Sequence, residues 1–304
     1  MARPTESVQV AAKIGEEIGR AAGHPFGPVE VRSVGGGCIN AASVLSDGVH
    51  RYFVKLNRAE GLPMFEAEAA GLAKLAESRT LRVPRPLCTG VAAGHAYLAM
   101  EYIALGSPPP KSTGGGWAQA GRLLATLHRS TWGQFGWVRD NTIGATPQPN
   151  GPGPDWARFW AERRLGFQLG LARRNGYGGA LQRMGETLLG SLSGLLDHGP
   201  VASLLHGDLW GGNLAFARDG EAVIYDPAVY YGDREADLAM TELFGGFGAE
   251  FYAAYREAWP VPSGYAVRKD LYNLYHVLNH LNLFGGGYLG QAQALMGRLL
   301  AELR

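Results

Sequence analysis

The chain is 304 residues long, 46% hydrophobic and 18% charged, with a formal net charge of +1. That length suits about two domains, and the near-neutral balance excludes a general basic surface for nucleic acid or anionic lipid. No apolar run reaches the roughly 18 residues of a membrane span, and charges in "MARPTESVQVAAKIGEEIG" interrupt the core a signal peptide needs, so a cytoplasmic location is the expectation.

Two cysteines, Cys38 and Cys88, argue against a disulfide framework. Glycine is abundant, 45 of 304, and clusters at 35–37, 114–116, 211–212 and 285–287. Compositional bias explains part of this; the clusters beside motifs need a separate account.

In chain order, residues 8–20 read as a helix with Val10, Ile14 and Ile18 on one side. "VEVRSV", "AASVLS" and "RYFVKLN" read as three strands, the first two joined by "GGGCIN". Pro63 opens an amphipathic helix with Phe65, Ala69, Leu72 and Ala76 in register, and "RVPRPLCTGVAAGHAYLAMEYI" supplies two more strands. The stretch 104–116, rich in Pro, Gly and Ser, reads as a linker. Helices follow in "WAQAGRLLATLHRS", "WARFWAERRLGFQLGLARRN" and "ALQRMGETLLGSLSGLL", with 131–155 irregular. "LLHGDLWGGNL" and "EAVIYDPAVY" interrupt them, and a helical last third includes "LYNLYHVLNHLNLF". A β-rich first third and a helical remainder predict an α+β chain of two lobes, 1–103 and 104–304, with a ligand cleft between them.

No Gly-x-x-x-x-Gly-Lys-[Ser/Thr] is present, which argues against a Walker-A nucleotide site. Other pieces fall in a telling order. Lys55 ends a strand about twenty residues after the glycine turn, and Glu68 lies on the next helix, on a different side from Glu66. A lysine held by a helical glutamate can present its ammonium to two phosphates. Gly35, Gly36 and Gly37 allow backbone N–H groups to approach phosphate oxygens, although a plain hairpin turn reads the same way.

Asp208 and Asn213 carry the stronger signal. Asp-x-x-x-x-Asn is the spacing of a kinase catalytic loop, with His206-Gly207-Asp208 in place of His-Arg-Asp. In that pattern the aspartate takes or orients the proton of the attacking hydroxyl, and the asparagine offers its carbonyl oxygen to Mg²⁺. Asp226 ends the apolar strand of "VIYDPA", where a second Mg²⁺ ligand belongs. One carboxylate and one carboxamide suffice for a hard cation that keeps most of its water. "MEYI" precedes the linker, so the carbonyl of Glu101 and the N–H of Ile103 are candidates for the adenine edge of ATP; an edge strand fits the same residues.

Taken together, the chain resembles the kinase-like phosphotransferases of small molecules, the aminoglycoside and choline kinase group, and more closely the fructosamine kinase (ketosamine-3-kinase) family. The residues that carry the likeness run from about 30 to 290: "GGGCIN", "FVKLN", "MFEAEAAGL", "VPRPL", "LAMEYI", "FGWVRDNTIGATPQPN", "DWARFWAERRL", "LLHGDLWGGNL", "YDPAVYYGDREADLAM" and "LYHVLNHLNLFGGGYL". The resemblance implies a bilobal protein-kinase-like fold, with a nucleotide-binding first lobe and a catalytic, substrate-binding second lobe. It implies ATP- and Mg²⁺-dependent phosphorylation of the third-carbon hydroxyl of a ketosamine, the rearranged adduct of a sugar and an amine. The product sheds its sugar and frees the amine, which is repair of glycation on a small amine or a protein lysine.

By position, the resemblance makes Asp208 the base, Asn213 and Asp226 the Mg²⁺ ligands, and Lys55 with Glu68 the phosphate-positioning pair. Trp210 then borders the sugar, as an aromatic ring packs against C–H faces; a core tryptophan is the competing reading. It also brings His276 and His280 near the substrate. These two, with Asn279, share a helix face opposite Leu271, Leu274, Leu278 and Leu281; an i,i+4 pair can bind zinc, but no third ligand is evident, and buried, hydrogen-bonded histidines are the better reading. Asp237, after Asp233, opens a helix as a cap or a brace for the catalytic loop. Cys38, beside the glycines, is a candidate for oxidation that blocks ATP binding, against an inert thiol.

Two other functions fit less well. An aminoglycoside or choline kinase calls for a more acidic pocket than 27 Asp and Glu suggest, and a nucleotide-binding pseudokinase sits poorly with a complete set of catalytic positions. Oligomeric state is not legible.

Overall fold

The computed structural model describes residues 4–35, 39–109 and 115–303. Gly36, Gly37 and Cys38 lie outside these residues, so the phosphate-loop and thiol readings for them have no structural counterpart here. In chain order the elements are α1 (Pro4–Ala22), β1 (Glu30–Val34), β2 (Ala41–Ser46), β3 (Arg51–Arg58), α2 (Leu62–Glu77), β4 (Pro86–Ala92), β5 (His95–Glu101), α3 (Gly115–His128), β6 (Thr131–Trp132), β7 (Asn141–Ile143) and β8 (Thr146–Gln148). Then come α4 (Trp156–Phe159), a π-helical turn (Trp160–Leu165), α5 (Gly166–Arg174), α6 (Ala180–Leu189), α7 (Leu192–Leu195), β9 (Ala202–Leu205), β10 (Leu214–Phe216), β11 (Ala222–Ile224) and β12 (Tyr230–Gly232). The last four are α8 (Glu235–Leu243), α9 (Ala249–Ala258), α10 (Tyr265–Phe284) and α11 (Leu289–Glu302).

These elements form two compact units. One comprises Met1–Ser107 with Phe216–Asp226, the other Pro108–Ala215 with Pro227–Arg304. The return of Phe216–Asp226 to the first unit was not anticipated, because nothing in a linear pattern marks a segment that rejoins an earlier one.

The first unit is built on an antiparallel sheet in the order β1-β2-β3-β5-β4. Val10, Ile14 and Ile18 of α1 lie at the i, i+4, i+8 spacing of one helical stripe and pack with Leu45, Val54 and Ala99 of the sheet. On α2, Phe65, Leu72 and Leu75 are buried, Pro63 occupies the first turn, where its missing N–H costs nothing, and Glu66 is exposed. The central strand β3 pairs Lys55 with Ala42 on one side and Leu98 on the other, so its backbone is fixed from both edges.

In the second unit, the middle of α10 is enclosed: Leu271, Leu274, Leu278 and Leu281 are fully buried, and Tyr272, Tyr275 and His276 on its other sides are buried as well. His276 is buried, as one of the two readings of the histidine pair expects, so the middle of this helix is enclosed on all sides. Gly121 lets α3 approach α9, since a Cβ there would collide with the Phe251 carbonyl. Residues 131–155, expected to be irregular, include a two-residue hairpin, β7–β8, which pairs Ile143 with Thr146 across Gly144 (φ +61°). Strands β12, β9 and β6 form a second sheet, with Leu205 opposite Tyr230. Among the described residues no helix is long and apolar enough to cross a membrane.

Candidate active site

Lys55, Glu68 and Asp226 converge in the first unit. Lys55 Nζ donates to Glu68 Oε1 at 2.5 Å and to Asp226 Oδ1 at 2.6 Å. Lys55 is buried, and burial disfavours its charge, but the two carboxylates outweigh that cost and raise its pKa to about 12, so it stays an ammonium. For Glu68, burial and the Asp226 charge push the pKa up while Lys55 pulls it down. The Asp226 side chain is half exposed and its φ is +58°, a left-handed backbone uncommon for a residue with a Cβ. It lies two residues beyond the buried strand β11, and positive φ at a non-glycine residue is the kind of backbone strain that clusters at functional sites.

Gly35 directly follows β1, with open space where its Cβ would stand. Glu101 ends β5, and its N–H donates to the Arg85 carbonyl at 2.8 Å; its carboxylate pairs with Arg82 at 2.9 Å. Ile103 follows in extended chain outside the strand, next to Ala104, whose carbonyl accepts from the Arg218 N–H at 3.0 Å.

In the second unit, β9 delivers the chain to Asp208. Gly207 has φ +83°, and a Cβ on it would strike the Ala228 carbonyl, so only glycine fits between the strand and the aspartate. Asp237 braces this turn. Its Oδ2 accepts the His206 N–H at 2.7 Å and its Oδ1 the Gly207 N–H at 2.8 Å. His128 Nε2 lies 3.2 Å from the same carboxylate, and its Nδ1 2.8 Å from the Tyr255 hydroxyl. Burial alone would raise the Asp237 pKa; the bonds and charges from His128, His206 and Gly207 win and hold it below the usual carboxylate range. Asp237 is the third residue of α8, not its N-cap, so of the two expected roles the brace is what the structure contains.

Asn213 Nδ2 donates to the Asp208 carbonyl at 2.8 Å and to Asp208 Oδ2 at 3.2 Å. With its nitrogen on Asp208, the hard donor of the carboxamide is Oδ1, the atom type Mg²⁺ selects. Trp210 is 38% exposed, which removes the core reading. Its ring covers Gly212, where any side chain would clash with the indole, and meets Phe244 edge-on with centroids 6.1 Å apart. Phe244 continues to His280 at 4.9 Å, and His280 to Phe284 at 5.4 Å and Tyr288 at 5.2 Å. Phe244, Phe284 and Tyr288 escaped the sequence reading because single aromatics at helix ends carry no period.

His276 and His280 part ways. His280 is half-buried in this aromatic row, and its Nδ1 lies 2.8 Å from the His276 carbonyl. His276 is buried, its Nδ1 has no hydrogen-bond partner among the described residues, and burial, then the His280 charge, drives its pKa down to about 3. A zinc pair finds no third ligand: among the described residues the one metal-like cluster is His198, Asp233 and Glu235, and Glu235 is held by Arg268 at 2.6 and 2.8 Å. Because His276 is neutral when folded and basic when unfolded, the unfolded chain takes up the extra proton. Stability is then expected to fall by about 1.4 kcal/mol per pH unit as pH drops below about 6.5. Urea titrations between pH 7 and 5 should show this slope, reduced in His276→Gln.

A family model described as fructosamine kinase matches residues 10–302. The chain belongs to the fructosamine kinase family. It is 50% identical to a probable ketoamine kinase of Synechocystis over 98% of this chain and 99% of that one. It is 45% identical to the chloroplastic protein-ribulosamine 3-kinase of Arabidopsis thaliana over 90% and 84% of the two chains. A crystal structure from Haemophilus somnus, provisionally named a fructosamine-3-kinase, superposes with a TM-score of 0.87 at 29% identity, covering 97% and 99% of the two chains. Membership brings the kinase-like α+β fold and makes the protein an ATP-dependent enzyme that phosphorylates a hydroxyl.

Proposed function

We propose that this kinase phosphorylates the third-carbon hydroxyl of ketosamines, and that the unstable product then releases the amine. The observation that carries the reading is the loop at 206–213. It places an aspartate, an asparagine bonded to it and a half-exposed tryptophan within six residues, in a chain 45% identical to a protein-ribulosamine 3-kinase.

Asp208 takes the proton of the attacking hydroxyl as that oxygen bonds to the γ-phosphorus of ATP and the bond to the β-phosphate oxygen breaks. Asp237 fixes the backbone from which Asp208 projects, so the base meets the hydroxyl without reorganising. Lys55, kept charged by Glu68 and Asp226, places an ammonium for the phosphates, with Gly35, Gly36 and Gly37 as candidate backbone donors and Glu101 and Ile103 as candidate adenine contacts. Asn213 and Asp226 would hold Mg²⁺, which supplies charge neutralisation at the phosphates. Trp210 packs against the C–H face of the sugar, with His280 in the same aromatic row; buried His276 supports that row from behind.

The amine arm is a free small amine or a protein lysine, and the setting is cytoplasmic. A coupled ATP assay on ribulose-lysine, fructose-lysine and several aminoglycosides tests this. Turnover of the ketosamines is expected, with Trp210→Ala raising their KM by roughly two- to tenfold, the scale of losing one aromatic contact. Turnover of aminoglycosides alone would refute the assignment.

A further inference from the structure

A π-helical turn at Trp160–Leu165 places Arg164 inside the second unit. Gly166 N–H reaches back five residues to the Ala161 carbonyl, and a Cβ on Gly166 would stand 2.5 Å from that oxygen, so the turn depends on glycine. Arg163 is exposed, whereas Arg164 is completely buried. Among the described residues no carboxylate lies within ion-pair distance of it. Its guanidinium lies over the Tyr230 ring at 4.0 Å and the Phe159 ring at 4.7 Å, and Nη1 donates to the Pro149 carbonyl at 2.7 Å.

Nη2 donates to Asn150 Oδ1 at 2.7 Å. Asn150 Nδ2 then donates to Asn141 Oδ1 at 2.8 Å, and Asn141 Nδ2 to the Val229 carbonyl at 2.8 Å. Gln148 Nε2 donates to the same Asn141 Oδ1 at 2.8 Å and to the Ala228 carbonyl at 3.0 Å, while its Oε1 accepts from Tyr275 at 2.7 Å. Ala228 N–H donates to the His206 carbonyl at 2.8 Å, on the loop of Asp208. Every bond from the arginine to Val229 runs in one sense. An arginine has donors and no acceptor, so it compels Asn150 to present oxygen; the Arg139 carbonyl, which accepts from Asn150 Nδ2 at 3.2 Å, and the Ala228 and Val229 carbonyls at the far end impose the same sense.

We propose that Arg164 is a positioning residue: its guanidinium anchors one end of a buried amide chain that holds residues 228–229 and, through Ala228, the backbone of the Asp208 loop. With an apolar side chain at 164, Asn150 Oδ1 is left buried without its donor, and the hold of the chain on residues 228–229 loosens.

The proposal rests on the ketosamine reading for its kinetic test, and amide exchange provides a test that does not. The variants are Arg164→Met, Arg164→Lys and Gln148→Met, compared with wild type for kcat, for KM of ATP and of ribulose-lysine, and for hydrogen exchange of 204–209 and 227–231. Arg164→Met should lose about tenfold in kcat with KM for ATP within about twofold, as a misplaced base does, and exchange should quicken in both segments. Arg164→Lys, which restores a donor-only cation, should recover most of that loss. A folded Arg164→Met with near-wild-type kcat, or an Arg164→Lys no better than it, overturns the proposal. If Arg164→Met does not fold, Gln148→Met cuts the network at Ala228 and carries the same expectation; unchanged kcat and exchange there overturn it equally. Should wild type phosphorylate no ketosamine, the proposed reaction fails, and exchange alone decides the role of Arg164.

Discussion

Asp208→Asn is expected to lower kcat by about 10²–10⁴, the usual share of a general base, with the KM for ATP little changed. The substitution is nearly isosteric. The Asp208 carbonyl that accepts from Asn213 Nδ2 is backbone and survives, and a carboxamide oxygen at 208 can still accept the longer 3.2 Å bond. The Asp237 brace acts on the backbone of His206 and Gly207 and is untouched. The fold therefore stands while the proton acceptor is gone. Single-turnover kinetics with ribulose-lysine separate the chemical step from binding; a loss of less than about tenfold would remove Asp208 from the role of base.

The second large effect is on stability. Asp237→Ala strips the acceptor from the His206 and Gly207 N–H groups and from His128, all buried. Removing one partner from such a buried set costs about 3–5 kcal/mol, and urea unfolding at pH 7 reads it directly. The sign with pH follows from the depressed carboxyl of Asp237. Its contribution is fully present above the unfolded pKa of about 3.9 and is lost as pH falls through the lower folded value. Wild type and Asp237→Ala should therefore differ most near neutrality and converge in acid. Activity in Asp237→Ala should fall with the loop it supports. Equal unfolding midpoints for the two proteins would mean that the brace contributes nothing.

The residues legible in the sequence share one property: their chemistry fixes their spacing. Asp208 and Asn213 lie five apart because one turn must serve both, and Lys55 and Glu68 sit on a strand and the next helix. Trp210 was legible as an anomaly, an aromatic in a polar glycine-rich loop. Asp237 was legible as support for the catalytic loop, although a cap also leaves an acidic residue near a helix start. Arg164, Asn150, Asn141 and Gln148 lie in stretches that carry the family likeness but showed no role of their own, since amides in an irregular stretch have no period and a buried arginine looks like an exposed one. On α10 the burial of His276 was legible as the alternative to a zinc pair, because no third ligand was in view; the burial of Tyr272 and Tyr275 beside it was not. Gly36, Gly37 and Cys38 remain readings of the sequence.

The most direct measurement of the central claim is the position of the transferred phosphate. Phosphorus and carbon NMR of the products from ribulose-lysine and ATP should show phosphate on the third carbon, followed by appearance of free lysine. A stable phosphate at another carbon, or ATP consumption without a phosphorylated ketosamine, would contradict the account.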